Sequence, residues 1–257
     1  MITMSDDKEL EKQVNQALKK IDATIGSNQA IDQLVSMGEK AVPLLANILD
    51  GLQETSIGPK TKMVNIIKVL TKIASAPAIN TVAFKLLELQ LTHRLDGSWD
   101  QLWLSPQILE GIDPTAKQRV SNVFVDMLPG ADARVAAAAF LLAYQINGTA
   151  IGPSIMPYAK KLKALLWTHP TPLYKCCENA GEEGIKFLVG EASNPTTHFE
   201  SRSGTEFSSA EDALRNVGSP AIPYLMELLK SDNIDHKIVA LETLLEIYKD
   251  AKNKSLP

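Results

Sequence analysis

Cysteine is almost missing from this chain: Cys176 and Cys177, neighbours in sequence, are the only two. Adjacent thiols cannot build a disulfide framework, which excludes a disulfide-stapled scaffold and leaves a reduced compartment compatible. Aromatic residues are sparse at 5%, and the formal net charge of -4 with a sequence pI near 5.6 lacks the positive excess of a typical nucleic-acid-binding domain. The first residues, MITMSDDKELEKQ, carry no apolar stretch of the secretory kind. The apolar runs are expected to be broken by charge before they reach membrane-spanning length, so no membrane partner and a cytoplasmic location are expected. No segment alternates apolar and polar residues for long, so strands are not expected. There is no glycine-rich phosphate loop, no H-E-x-x-H and no G-x-S-x-G.

What the chain does have is a pattern that occurs twice, A-x-x-x-L-x-x-x-G-x-x-A-[VI]-P-x-L-x-x-[IL]-L, at Ala30 to Leu49 and at Ala210 to Leu229. The two copies read AIDQLVSMGEKAVPLLANIL and AEDALRNVGSPAIPYLMELL. Each part has a physical role. The step from Ala30 to Leu34 makes an apolar stripe, and Gly38 or Gly218 permits the left-handed dihedral that ends a helix. Pro43 or Pro223 then sits in the first turn of the next helix, where its missing N–H costs nothing. A second stripe of Leu44, Leu45, Ile48 and Leu49 follows. The pattern predicts helix, tight turn, helix, with both inner faces apolar.

Weaker forms recur. GPSIMP keeps the glycine-to-proline spacing at Gly152 and Pro157, and GEEGIKFL keeps the glycine at Gly181 with Lys186 in the proline position. DARVAAAAF from Asp132 and DHKIVALETL from Asp235 share an aspartate, a basic residue and an apolar run. Either aspartate suits an N-cap or a first-turn anion. The alanines at 136 to 139 allow two helix backbones to approach closely.

These residues resemble the HEAT-type repeat family, in particular its short bacterial form. The likeness covers about Ala30 to Leu49, Asp132 to Pro157 and Ala210 to Ile247, while residues 55 to 126 show only a helical pattern. The resemblance implies an all-α fold, a right-handed α-solenoid of antiparallel helix pairs of the HEAT/armadillo kind, acting as a protein-binding scaffold. It carries no catalytic residue with it.

Helices are expected near 6–24, 28–37, 40–51, 60–75, 77–92, 99–110, 115–128, 132–147, 153–167, 172–178, 183–190, 206–217, 220–230 and 235–250. Pairs that cannot bury their own stripes must stack on neighbours, which predicts one domain over residues 1–257. The helix at 6–24 should cap one end. The helix at 235–250, with Lys237, Glu242, Glu246 and Lys249 outward, should cap the other. Three segments interrupt the rhythm: THRLDGSWDQLWL from Thr92, WTHPTPLYKCC from Trp167, and the polar EASNPTTHFESRSGTEF from Glu191.

Charge is uneven. Residues 133 to 177 hold five basic residues and no acid, whereas 178 to 235 hold eleven Asp or Glu against four Lys or Arg. Such fields steer partners of opposite sign, although solvated helix faces also need charge. Catalytic chemistry has little to build on. His198 and Glu200 lie at alternate positions of a polar loop without a third convergent ligand, so no metal is expected. Cys176 and Cys177, seven and eight residues after His169, sit where a first helix should end, so at least one of them is expected to be a small core residue, and a nucleophile paired with His169 is disfavoured. No catalytic residue and no cofactor are expected.

The expected function is a non-enzymatic scaffold or adaptor for an unidentified protein partner, and nothing in the sequence sets an oligomeric state. The partner surface is expected on second helices and interrupting loops, at Lys68, Lys72, Trp99, Trp103, Lys160, Lys163, His198 and Arg202. Trp99 and Trp103 share a helix face, for which core packing is the first reading and a binding anchor in a groove the alternative. Two alternatives rest on the resemblance: HEAT-like repeat enzymes that excise alkylated bases, and lyases or accessory proteins that handle bilin chromophores. Nucleic acid is disfavoured by the net charge and by basic positions without interleaved aromatics.

Overall fold

Glycine in the left-handed region, a short 3-10 turn and a proline-led helix recur along the chain and set its architecture. The computed structural model describes residues 4–21, 27–52, 57–92, 104, 106–166, 170–194 and 209–254, and every regular element among them is helical. Contacts gather the chain into two compact units, Met1–Ile146 and Asn147–Pro257.

The first unit contains α1 (Met4–Ile21), α2 (Ser27–Ser36), α3 (Val42–Asp50), α4 (Ile57–Ile73), α5 (Ala76–Thr92), α6 (Pro106–Glu110), α7 (Lys117–Met127) and α8 (Ala133–Asn147). Between α2 and α3, Gly38 takes φ +63 and leads a 3-10 turn to Ala41, with Pro43 in the first turn of α3. Nothing lies within 4 Å of where a Cβ on Gly38 would sit, so backbone conformation alone selects glycine there. Ala30, Leu34, Ala41, Leu45 and Leu49 are buried, and the repeat positions are spent on core packing. After α4 the left-handed position is taken by Ala74 at φ +54, so no glycine marks that turn in the sequence.

Packing in this unit skips along the chain. α1, with Val14, Ala17 and Ile21 buried, packs on α2; α2 packs on α4 and α4 on α6, while α3 packs on α5 and α5 on α7. Polar side chains tie successive turns at nearly constant separation. Asn65 Nδ2 donates to the Ile21 carbonyl at 3.0 Å, 44 residues away. The Asp113 N–H donates to Thr71 Oγ1 at 3.0 Å, 42 residues away, while that buried hydroxyl donates to the Ile67 carbonyl. Arg119 donates to the Ala74 carbonyl and Arg134 to that of Leu91, across 45 and 43 residues. Asp132 Oδ1 accepts from the Val135 N–H at 2.8 Å, as an N-cap does, and Ala136 to Ala139 are all buried.

The second unit opens with a 3-10 turn, Gly148–Ile151, then α9 (Gly152–Ile155), a turn at Met156–Tyr158, α10 (Ala159–Leu165), α11 (Thr171–Glu178), α12 (Gly181–Ala192), α13 (Ala210–Val217), α14 (Ile222–Leu228) and α15 (Ile234–Lys254). The expectation at Gly152 and Pro157 needs correction. The left-handed residue is Gly148 at φ +59, and Pro153 leads the following helix, whereas Gly152 is helical at φ -44 and Pro157 breaks the helix expected over 153–167. A proline there removes an amide donor and crowds the preceding turn. Gly181 and Gly218 are left-handed as the pattern predicts; Gly218, at φ 72 and ψ -132, occupies a region open to little but glycine.

Gly152 serves a different purpose. A Cβ on it would stand 2.3 Å from the Cys176 carbonyl oxygen, and one on Gly184 would stand 2.1 Å from that of Cys177. Two helices therefore approach the backbone of α11 more closely than any side chain permits. α11 packs on α12 and α13, α12 on α14, and both α13 and α14 on α15. Ser209 and Asp212 close a reciprocal capping box at the start of α13.

The expectation about apolar runs is also revised, since Val135 to Ala159 contain no charged residue and Ala133–Leu165 is long and apolar enough to cross a membrane by composition. Turns at Gly148–Ile151 and Met156–Tyr158 divide that stretch, and 61% of its apolar window is buried within the protein.

Candidate functional site

Of the side chains expected to bind a partner, Trp99, Trp103, His198 and Arg202 lie outside the described residues, as do His93, Trp167, His169 and Glu200. The four lysines fall in different units and different states. Lys68 and Lys72 stand on α4, where Lys72 Nζ lies 3.6 Å from Asp32 Oδ1. The Asp113 carboxyl is held below its ordinary value by hydrogen bonds from Thr115, with Lys72 and Lys68 contributing. On α10, Lys160 is exposed, but Lys163 is committed inward.

Lys163 Nζ lies 2.7 Å from Glu191 Oε2, both side chains are less than 20% exposed, and the ammonium stands 5.9 Å from the centroid of the Tyr174 ring. Tyr174 Oη donates to the same carboxylate oxygen at 3.4 Å. Burial, then the Glu191 charge, pushes the Tyr174 phenol up, so it stays protonated. Cys176 and Cys177 are fully buried beside this group, and burial raises both thiols, Cys177 to about 12. A thiol held protonated and away from solvent is core, not nucleophile. The cluster ties α10, α11 and α12 together.

Among the described residues, the exposed apolar side chains gather in one place that the sequence reading above did not single out. All exposed large apolar side chains among the described residues except Phe84 lie on α14 and α15: Ile222 and Met226 on the first, and Ile234, Ile238, Leu241, Leu245 and Tyr248 on the second. The five on α15 are 48% to 70% exposed and follow one another at alternating steps of four and three, the heptad spacing of a helix seam. They form one stripe because 3.6 residues complete a turn. The opposite face of α15 is the buried one, through Val239, Ala240, Thr243 and Ile247.

α15 is held firmly behind that stripe. Arg215 of α13 grips Asp250 with two hydrogen bonds, Nε to Oδ2 at 2.5 Å and Nη2 to Oδ1 at 2.9 Å, and Asp250 raises the guanidinium pKa further. The Asn233 side chain caps the helix start by accepting from the Asp235 N–H at 2.9 Å. Lys237, Glu242 and Lys249 are exposed, as expected for 235–250, but the apolar stripe shares their outward face. By helical position, Asp235, Glu242 and Lys249 flank one side of the stripe and Lys237 with Leu244 the other. The clue was present in the sequence: two apolar stripes on one helix are one more than a terminal cap requires.

Beside this face, Lys186 and Val189 of α12 with Tyr224, Glu227, Leu228 and Lys230 border an open groove of about 440 Å³. Lys186 pairs with Glu182 at 2.6 Å. No group of three or more His, Cys, Asp or Glu arranged for a metal occurs among the described residues. No family model matches the chain, and no curated protein or solved structure matches it.

Proposed function

We propose that this protein is a HEAT-type helical-repeat scaffold that binds other proteins, with its principal docking face on α14 and α15. The exposed heptad stripe from Ile234 to Tyr248 carries this reading, because an apolar strip of this length in water is the usual mark of a covered surface. The repeat architecture draws support from the recurring left-handed glycines and from the ties at 42 to 45 residues in the first unit, which fit the period of about 40 to 47 residues of HEAT and armadillo repeats. Within each unit, helices pack on the second neighbour along the chain, an arrangement that supports the two layers of a solenoid. Lys68, Lys72 and Lys160, with Trp99, Trp103, His198 and Arg202, remain secondary contacts of the same scaffold; Lys163 is a structural member of it.

The test is a paired capture from source-cell lysate with the wild type and with the double variant Leu241→Asp, Leu245→Asp. Both side chains are more than half exposed, so the variant should keep its fold, which circular dichroism checks. The reading expects proteins held by the wild type and lost from the variant. Identical captures from the two would overturn the assignment of the docking face.

A further inference from the structure

The α15 stripe has a pattern that specifies its own complement. In heptad terms Ile234, Leu241 and Tyr248 occupy d positions and Ile238 and Leu245 occupy a positions, with Lys237 at g and Glu242 at the following e. At the centre of the stripe Ile238 at a is followed by Leu241 at d, the combination that suits a two-stranded parallel pair, whereas Leu245 at a with Ile234 and Tyr248 at d carries no such preference. In such a pair the g residue of one helix faces the next e residue of the other. Lys237 then meets Glu242 of a second copy, and the two-fold axis repeats the contact. An antiparallel pair would instead set e against e and g against g, which brings Glu242 close to its own copy, Asp235 opposite Lys249, and leaves Lys237 facing Leu244 rather than a carboxylate. The five side chains on α15 expose on the order of 600 Å² per copy, so two copies that covered them fully would bury roughly 1,200 Å², the lower bound of a stable interface.

We infer that a second copy of this chain covers the stripe, forming a homodimer through parallel pairing of α15 with α15. This rests on the reading of that face as a protein-docking surface and names its occupant. The geometry suits such pairing, since the buried face of α15 and the Arg215–Asp250 clasp keep the helix on its own unit while the stripe stays outward.

Sedimentation velocity of the full chain from roughly 1 to 100 µM, the range where helix pairs of modest area associate, tests it. The mass should rise from 28.0 kDa toward twice that value with concentration. Leu241→Asp should remain at the monomer mass with unchanged helical circular dichroism, and Leu245→Asp should repeat the result. Lys237→Glu and Glu242→Lys should each weaken self-association by about tenfold, as like charges then face each other, and an equimolar mixture of the two should recover it. A wild type that stays monomeric throughout overturns the inference, as does a dimer that survives Leu241→Asp or a mixture no tighter than its components. A monomeric wild type whose lysate partners are still lost on Leu241→Asp would overturn the homodimer and leave the scaffold reading intact. A dimer that captures no other protein supports the homodimer and counts against the wider scaffold.

Discussion

Replacing Gly152 by alanine sets helix propensity against packing, and the structure decides which wins. Gly152 is helical at φ -44 at the start of a four-residue helix and precedes Pro153, which disfavours a Cβ in that region, so alanine would gain at most about 1 kcal/mol of intrinsic propensity. The added methyl, however, would stand 2.3 Å from the Cys176 carbonyl oxygen, 3.3 Å from its carbon and 3.4 Å from the Ala180 nitrogen. All three are backbone atoms, so relief requires moving α9 away from α11 by about 1 Å rather than turning a side chain. Overpacking of a tight core costs about 1 to 3 kcal/mol. A rigid obstacle belongs at the upper end, which leaves a net loss of about 2 kcal/mol after the propensity gain. Urea unfolding followed by circular dichroism reads this directly, with Gly38→Ala as the reference, since that site has no neighbour within 4 Å and should lose only the left-handed backbone term of about 1 kcal/mol. A Gly152→Ala protein as stable as the wild type, or more so, would refute the close approach of α9 to α11.

Three further outcomes are expected. Ala74→Gly should stabilise by about 0.5 to 1 kcal/mol, because it relieves a left-handed alanine while costing some unfolded-state entropy; a lower urea midpoint would contradict this. Stability should fall as pH rises above about 9: Tyr174, Cys176 and Cys177 have folded pKa values above their unfolded ones, so their contribution is complete below the unfolded values and is lost as the unfolded chain ionises. Replacing both cysteines by alanine should flatten that alkaline loss, and an unchanged slope would contradict the assignment. Lys85→Ala should destabilise by about 1 to 3 kcal/mol, measured by thermal unfolding, because its buried stem and its hydrogen bonds to the Asp50 carbonyl and Glu88 are lost together; a shift near zero would show that burial and pairing there carry no stability.

The parts of the fold that sequence discloses are those where one residue type has one backbone use. Gly38, Gly218 and Gly181 stand out because left-handed dihedrals select glycine, and Pro43 and Pro223 because first turns tolerate proline. Ala74 adopts the same conformation without that signature, and the turn it makes is invisible in sequence. Gly152 misleads for the opposite reason: a glycine kept for close helix approach looks the same in sequence as a glycine kept for a turn. The candidate face escapes notice because heptad spacing and core spacing share the same residue types. Only the contacts of α13 and α14 with α15 reveal which of its two apolar stripes is already covered. Lys163 reads as a surface cation in sequence because its partner, Glu191, lies 28 residues away on another helix.

The central claim, that the α15 stripe is a covered protein interface, is tested most directly by labelling Leu241→Cys with a maleimide. The two native cysteines are fully buried with raised thiol pKa values, so they leave a silent background. Labelling should be fast at roughly 1 µM and slow several-fold near 100 µM or in source-cell lysate, as a partner helix covers the position. A cysteine at 241 that reacts at the same rate under all three conditions would contradict the claim.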